Sequence, residues 1–342
     1  MPSFDGKKTP HGRSLAGNDT LLGKTNSSPP PVIRVRDLCK RYRKHIAVAG
    51  VDFEIEPGEI YGLIGPDGAG KSSVMKSIAG VLAFDGGTID VLGVRVDSEA
   101  SAERIKGRLG FMLQGLGQNL YPELSVEENV DFFARLREVP EQVLAERKRE
   151  LLAMTRLERF RERPMKKLSG GMKQKLGLVC TLIHGPELLI LDEPTTGVDP
   201  VSRRDFWAIL SALQRDRGIT ALVSTAYMDE AARFHRLSIL HAGRVLAAGE
   251  PDEILRRARG SLVELSVEPQ IAALDRLQEV FSQVEALGDR LRVFVDDVGP
   301  DVAASAVAES LSEFEVRDLH VAEPSLEDAF VALLRRRVEP GP

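Results

Sequence analysis

Eight consecutive residues, Gly65-Pro66-Asp67-Gly68-Ala69-Gly70-Lys71-Ser72, carry the spacing G-x-x-x-x-G-K-S. These types at this spacing suit one task, the cradling of a chain of phosphates. Glycines let backbone N–H groups converge on phosphate oxygens, and a helix opening at the end of the loop adds its positive pole. The Lys71 ammonium can reach the terminal phosphates and the Ser72 hydroxyl can ligate Mg²⁺. Ser73 completes the candidate nucleotide-binding set. A Gly-rich surface turn followed by an exposed lysine would share the composition. It would lack the buried strand before and the helix after that the motif requires.

A second segment offers the other half of a hydrolytic site. Leu188-Leu189-Ile190-Leu191 is apolar and runs directly into Asp192-Glu193. A buried strand ending in two acids delivers them to the carboxyl edge of a sheet, where α/β proteins bind ligands. Asp192 is placed to hold Mg²⁺, directly or through water. Glu193 can orient an attacking water or take its proton. Alone, the pair could be the first exposed residues after a strand; beside the phosphate loop it points to hydrolysis of ATP.

These side chains need elements to hold them. Val51, Phe53 and Ile55 alternate with Asp52, Glu54 and Glu56, a half-buried strand closed by Pro57-Gly58. Ile60–Ile64 reads as a buried strand entering the phosphate loop, and Ser72–Ile78 as the helix leaving it. Residues 122–163 are helical by pattern, with Phe132, Phe133 and Leu136 at helical spacing. Buried strands return at Leu188–Leu191 and Ile219–Ser224, with a helix around Phe206–Leu213 between them. A hairpin follows, Leu237–His241 and Arg244–Ala248, turning at Ala242-Gly243. Strands alternating with helices indicate a parallel α/β core. After about residue 260 the rhythm restarts as strand, helix, strand, helix, strand and a last helix from Ser325, where Asp328 completes a capping box. The expected division is a disordered tail at 1–31, rich in Gly, Ser, Thr, Asn and Pro, a nucleotide-binding domain at 32–258, and an accessory α+β domain at 259–342. Without internal repeats, there is one nucleotide-binding unit in the chain.

Composition excludes several classes. The 342 residues are 43% hydrophobic and 28% charged, with 46 basic against 51 acidic residues. A slightly acidic chain lacks the basic stripe of a nucleic-acid binder, so no nucleic acid is expected. No apolar run approaches the roughly 20 residues of a membrane helix, and the N-terminus has no apolar stretch of a secretory signal. Cys39 and Cys180 stand far apart without metal-ligand spacing; both are expected as reduced core or near-core residues of a cytosolic chain.

Further motifs carry a family resemblance. Leu168-Ser169-Gly170-Gly171-Met172-Lys173-Gln174 resembles the LSGGQ signature of ABC ATPases, departing at Met172 as drug- and antibiotic-exporter subunits commonly do. Tyr42 in LCKRYRKH is similar to the aromatic residue that stacks on adenine. Gln114 in GFMLQGLGQNLYPELSVEENV resembles the Q-loop glutamine, and Thr195-Thr196-Gly197-Val198-Asp199-Pro200 the D-loop, with Asp199 its aspartate. The likeness covers about residues 32–250. It implies a P-loop NTPase fold: a RecA-like core with an antiparallel β subdomain and a helical subdomain at about 115–167. It implies that two chains clasp two ATP molecules, with Ser169, Gly170 and Gly171 acting on the partner's nucleotide. Gln114 would sense the γ-phosphate and Mg²⁺, and Glu193, Gln114 and Asp199 form the implied catalytic set.

The wording GPDGAGKS and STAYMDEA is most similar to bacterial drug-exporter ATPases and the related ribosome-associated ATPase, and EPSLEDAFVALL resembles the accessory domain of many exporter subunits. The implied partners are separate transmembrane permease subunits and a second ATPase chain, identical or not, at the inner face of the cell membrane. Ala226 stands where the family's switch segment has a histidine that contacts the γ-phosphate. Two other roles stay open on the sequence: an ATPase acting on a ribosome or another assembly, and a weakly hydrolysing regulatory module.

Overall fold

The computed structural model describes residues 29–115 and 117–338. Most of the expected tail at 1–31 lies outside the described residues. In chain order the elements are β1 (Ile33–Tyr42), β2 (His45–Ile55), β3 (Ile60–Ile64), α1 (Lys71–Ile78), β4 (Gly86–Val91), β5 (Val94–Arg95), α2 (Glu99–Lys106) and β6 (Leu109–Met112). Next come α3 (Val126–Leu136), α4 (Glu141–Thr155), α5 (Gly170–Leu182), β7 (Leu188–Leu191), α6 (Pro200–Arg217) and β8 (Thr220–Thr225). A 3-10 turn at Met228–Arg233 leads to β9 (Arg236–His241), β10 (Arg244–Gly249) and α7 (Pro251–Arg257). The chain continues through β11 (Gly260–Glu268), α8 (Gln270–Val280), β12 (Gln283–Leu287), β13 (Arg290–Asp296), α9 (Pro300–Ser310), β14 (Glu315–Ala322) and α10 (Leu326–Val338).

Three sheets organise these elements. An antiparallel sheet has the order β2-β1-β4-β5, and a six-stranded sheet has the order β10-β9-β3-β8-β7-β6. The latter is parallel except for the β9–β10 hairpin. Its central strands β3 and β7 are buried throughout because both faces are covered, and successive side chains part to opposite sides. Ile60, Ile64, Leu189, Leu191, Ala221 and Val223 join a core built with α3, α4, α5 and α6. Tyr61, Leu63, Leu188, Ile190 and Leu222 join the core shared with the antiparallel sheet, α1 and α2.

The strand order does what the sequence could not announce. β8 lies between β3 and β7, pairing Ile64 with Thr225 and Leu191 with Val223. The phosphate loop and the Asp192-Glu193 pair therefore flank the end of β8, whose next residues can touch both.

The 122–163 stretch is not one helix. α3 and α4 are separated around Val139-Pro140, because proline disfavours helix in the residue before it and has no N–H to donate. Leu136, at helical spacing with Phe132 and Phe133, is 63% exposed. Cys180 is buried and Cys39 half-buried, and both are free thiols.

The third sheet, β12-β13-β11-β14, is antiparallel throughout. With its helices it is a β-α-β-β-α-β unit of ferredoxin-like topology. α8 and α9 cover one face through Ala273, Leu277, Ala303 and Val307. The β12 strand did not stand out in the sequence, since Gln283–Leu287 is short and largely exposed.

α10 ties this unit to the rest of the chain. Ser325 and Asp328 form the expected capping box, with the Ser325 N–H donating to Asp328 Oδ2 at 2.8 Å and the Asp328 N–H to Ser325 Oγ at 3.2 Å. Ala329 and Ala332 pack on Leu262 and Phe294 of the third sheet. Leu326, Phe330 and Leu333, at helical spacing on the adjoining stripe, pack on the core beneath the parallel sheet. Arg292 reaches Asp328 at 3.1 Å and Glu264 at 3.0 Å, fixing the helix azimuth. Phe330 meets the His241 ring edge-on at 6.2 Å. Phe330→Ala should destabilise the protein by about 2 kcal/mol, less than for a fully buried ring because the site is half-open. An unchanged denaturation midpoint would show that α10 is not seated on this core.

Candidate functional site

The phosphate loop is shaped before any ligand arrives. Gly70 opens α1 with φ of 104°, and a Cβ there would stand 2.4 Å from the Ala47 carbonyl oxygen. Only glycine suits both constraints. The Gly65 N–H donates to the Thr225 carbonyl at 3.3 Å, and the Gly243 N–H, from the β9–β10 turn, to that of Ala69 at 3.0 Å. Asp67, Gly68, Ala69, Gly70, Lys71, Ser72 and Ser73 line a cavity of about 390 Å³, closed by Tyr42, His45, Ala47, Gln114 and Glu193. Gly65 and Pro66 do not line it; their carbonyls accept hydrogen bonds from Lys71 Nζ at 2.7 and 3.1 Å.

Lys71 and Glu193 meet inside this cavity. Nζ lies 3.1 Å from Glu193 Oε1, with both side chains buried. Glu193 Oε2 accepts from Gln114 Nε2 at 2.7 Å and from the Thr196 hydroxyl at 3.2 Å. Glu193 itself has φ of 47°, a left-handed conformation costly for a side chain larger than glycine's. Such a backbone persists only where surrounding bonds hold it.

Asp192 is held by Ser224 at the end of β8. The Ser224 hydroxyl donates to Asp192 Oδ1 at 2.7 Å and accepts from the Glu193 N–H at 2.9 Å. Asp192 Oδ2 is buried without a hydrogen-bond partner among the described residues. Asp192 lines a second cavity of about 550 Å³ together with Gln114, Gln118 and Thr196. Gln114 borders both spaces and so joins the phosphate side to the Asp192 side.

Other expected residues lie elsewhere. Asp199 is not brought to Glu193. Its exposed carboxylate caps α6, accepting from the N–H groups of Val201 at 3.1 Å and Ser202 at 2.9 Å. The Ser202 backbone bond first, and then its hydroxyl, hold that carboxyl below its usual range. A catalytic part for Asp199 is therefore not met within one chain, where it serves as a helix cap. Ser169 caps α5, and Gly171 packs so closely on α6 that a Cβ would sit 2.2 Å from Ser202 Oγ. None of 169–171 lines either cavity. Tyr42 is at the cavity mouth, its hydroxyl 3.3 Å from Ser73 Oγ, and the residue is 45% exposed. Ala226 follows β8 directly, half-buried.

Three contributors escaped the sequence: Ser224, Thr196 and His45. Each lies in a motif, yet their parts depend on strands meeting in space. Ser224→Ala would orphan Asp192 Oδ1 and the Glu193 N–H together, and stability should fall by about 2 kcal/mol. An unaltered unfolding midpoint would mean that these groups find other partners.

The surroundings of the site have counterparts in known proteins. Residues 48–196 match the family model described as ABC transporter. The chain is 34% identical over 311 residues to the Nod factor export ATP-binding protein I of Ralstonia nicotianae, covering 90% of this chain and 95% of that protein. It is 41% identical over 231 residues to a probable multidrug ABC transporter ATP-binding protein of Escherichia coli K12, covering 67% of this chain and 39% of that one. A solved ATP-binding subunit of an ABC transporter superposes with a TM-score of 0.59 at 32% identity, over 66% of this chain and 92% of the other. With a phosphate loop, a buried acid pair and this likeness along nearly its whole length, the chain belongs to the ABC transporter family as one of its ATP-hydrolysing, ATP-binding proteins.

Proposed function

We propose that the chain is the ATPase subunit of an exporter of drugs or antibiotics, with separate permease subunits supplying the membrane path. The observation that carries the hydrolytic part is the buried pair of Lys71 and Glu193, with Gln114 bonded to Glu193, beside an unpartnered Asp192 oxygen. The relatives' printed names, Nod factor export and multidrug transport, support export as the task.

In this reading the loop N–H groups and Lys71 hold the phosphates, and Tyr42 takes the adenine face. Lys71 then exchanges its contact with Glu193 for phosphate oxygens, leaving that carboxylate to orient the attacking water. Asp192 and Ser72, with Gln114, form an oxygen-rich donor set that fits Mg²⁺, and the orphaned Asp192 Oδ2 is the strongest sign of that fit. The ion, when bound, neutralises charge on the phosphates. Ala226 offers no polar contact toward the γ-phosphate, so hydrolysis depends on the remaining groups.

Among the described residues no helix is long and apolar enough to cross a membrane. An apolar groove of about 550 Å³ next to Gln114 suits a cytoplasmic segment of a permease. Leu113, Tyr121, Phe132, Phe133 and Leu136 line it, with Lys106 and Arg137 also contributing. His184 lies in the same groove. Burial first, then Arg137, pushes its ring down to about 4, so the groove wall is uncharged there at neutral pH. Residues 259–342 are read as an accessory domain of this subunit.

Lys71→Ala should weaken ATP binding, whereas Glu193→Gln should bind ATP and hydrolyse it about 10²-fold or more slowly. Fluorescent-nucleotide binding and phosphate release, measured side by side, separate the two. Normal turnover in Glu193→Gln would remove the assigned base.

The signature residues of 169–171 stand apart from the cavity of their own chain, which supports a second copy completing each site. Light scattering on Glu193→Gln should show a mass shift toward a dimer with ATP, lost in Ser169→Arg. A mass indifferent to ATP would argue against closure between identical chains.

A further inference from the structure

Glu230 is a carboxylate buried where no cation answers it. It is 3% exposed, on the 3-10 turn after β8, and forms no ion pair among the described residues. A charge removed from water at such depth is costly unless hydrogen bonds compensate. Two donors do so. The Thr195 hydroxyl donates to Oε2 at 3.1 Å, and the indole N–H of Trp207 to Oε1 at 2.9 Å. Thr195 and Trp207 are themselves 1% exposed. Each carboxylate oxygen thus has one donor from a different element, the segment after β7 and helix α6.

Thr195 lies two residues beyond Glu193, with Pro194 between them. Proline fixes its own φ, so the short link transmits the placement of Thr195 to Glu193 with little slack. Glu193 needs such a hold, because its left-handed backbone is strained. Ser224 grips its N–H from one side, and the Thr196 N–H donates to its carbonyl at 3.3 Å from the other. The turn bearing Glu230 is in turn seated against α10 and β3.

We infer that Glu230 is a positioning residue for ATP hydrolysis: through Thr195 it sets the geometry of Glu193 without touching nucleotide. It fixes Trp207 with its other oxygen, so the anchor is rigid with respect to α6. This rests on the reading of Glu193 as the residue that orients water. Misplacing a reacting group by about 1 Å can cost up to about 10²-fold in rate while leaving binding intact. The phosphate loop, built on β3 and α1, is not held by Glu230. The loss therefore falls on kcat rather than on KM for ATP.

The test compares Glu230→Ala, Glu230→Gln, Thr195→Val and Glu193→Gln in the full chain. Glu230→Ala should lower kcat about 10- to 100-fold with KM for ATP within about twofold of the parent, and Thr195→Val should reproduce the kcat loss. Glu230→Gln should recover most activity, since the amide oxygen can accept from the indole and the amide NH₂ can donate to the Thr195 oxygen. Trp207 is the only tryptophan in the chain, so its fluorescence reports the other arm. Its emission should shift in Glu230→Ala and stay in place in Thr195→Val. A folded Glu230→Ala with parental kcat, or a loss seated in KM, overturns the inference. If Glu230→Ala does not fold, parental kcat in Thr195→Val overturns it alone. Full turnover in Glu193→Gln would instead topple the underlying assignment of Glu193, an outcome distinct from either.

Discussion

Lys71 and Glu193 come from segments 122 positions apart and meet at 3.1 Å with 4% and 5% of their side chains exposed. Neither charge could stay at that depth alone, since desolvation would exceed what a lone contact returns. Together they are tolerated because hydrogen bonds complete both. The lysine also serves two carbonyls of its own loop, and the glutamate takes an amide and a hydroxyl. This pair ties the end of β3 to the end of β7 across the tip of β8. In the proposed function, arriving phosphates would compete for the same ammonium.

The pair imposes demands on the rest of the core. β3, β7 and β8 must end at the same level, which needs a parallel register covered on both faces. The alternation of Ile60, Ile64, Leu189 and Leu191 toward one core and Tyr61, Leu63, Leu188 and Ile190 toward the other meets that need. The segment after β7 must then turn sharply into α6 without drifting. Asp199 caps that helix, Ser202 supports Gly171 of the signature, and Thr195 is tethered from the 3-10 turn. One continuous structure thus runs from the acid pair through α6 to Gly171 at the start of α5.

The third sheet is attached through the two-sided helix α10, with Leu255 of α7 and Ala258 in the same seam. α10 offers alanines to the ferredoxin-like unit and larger apolar side chains to the nucleotide-binding core. Small residues let the helix lie close on Phe294, while Phe330 and Leu333 fill the other seam. The same helix leans on the turn that bears Glu230. The ferredoxin-like unit is therefore adjacent, through α10, to the turn that carries Glu230.

Much of this was legible from local order. The phosphate loop, the acid pair and the hairpin at Ala242-Gly243 are contiguous patterns that follow from residue type and spacing, whereas the role of the signature came from its family resemblance. The Val139-Pro140 break was also written in the chain, though amphipathic spacing on either side concealed it. What the sequence could not express is which strands become neighbours. Ser224 acquires its part only because β8 inserts between β3 and β7, and Glu230 because its turn folds under Thr195 and Trp207. Leu136 sits on a helical stripe, yet whether that stripe meets a core or an open groove depends on how α3 lies against β6. Residue types and spacing determined the chemistry available to this protein. Tertiary structure decided which of those groups touch, because burial, register and the compensation of buried charge belong to the assembled core and to no single segment of it.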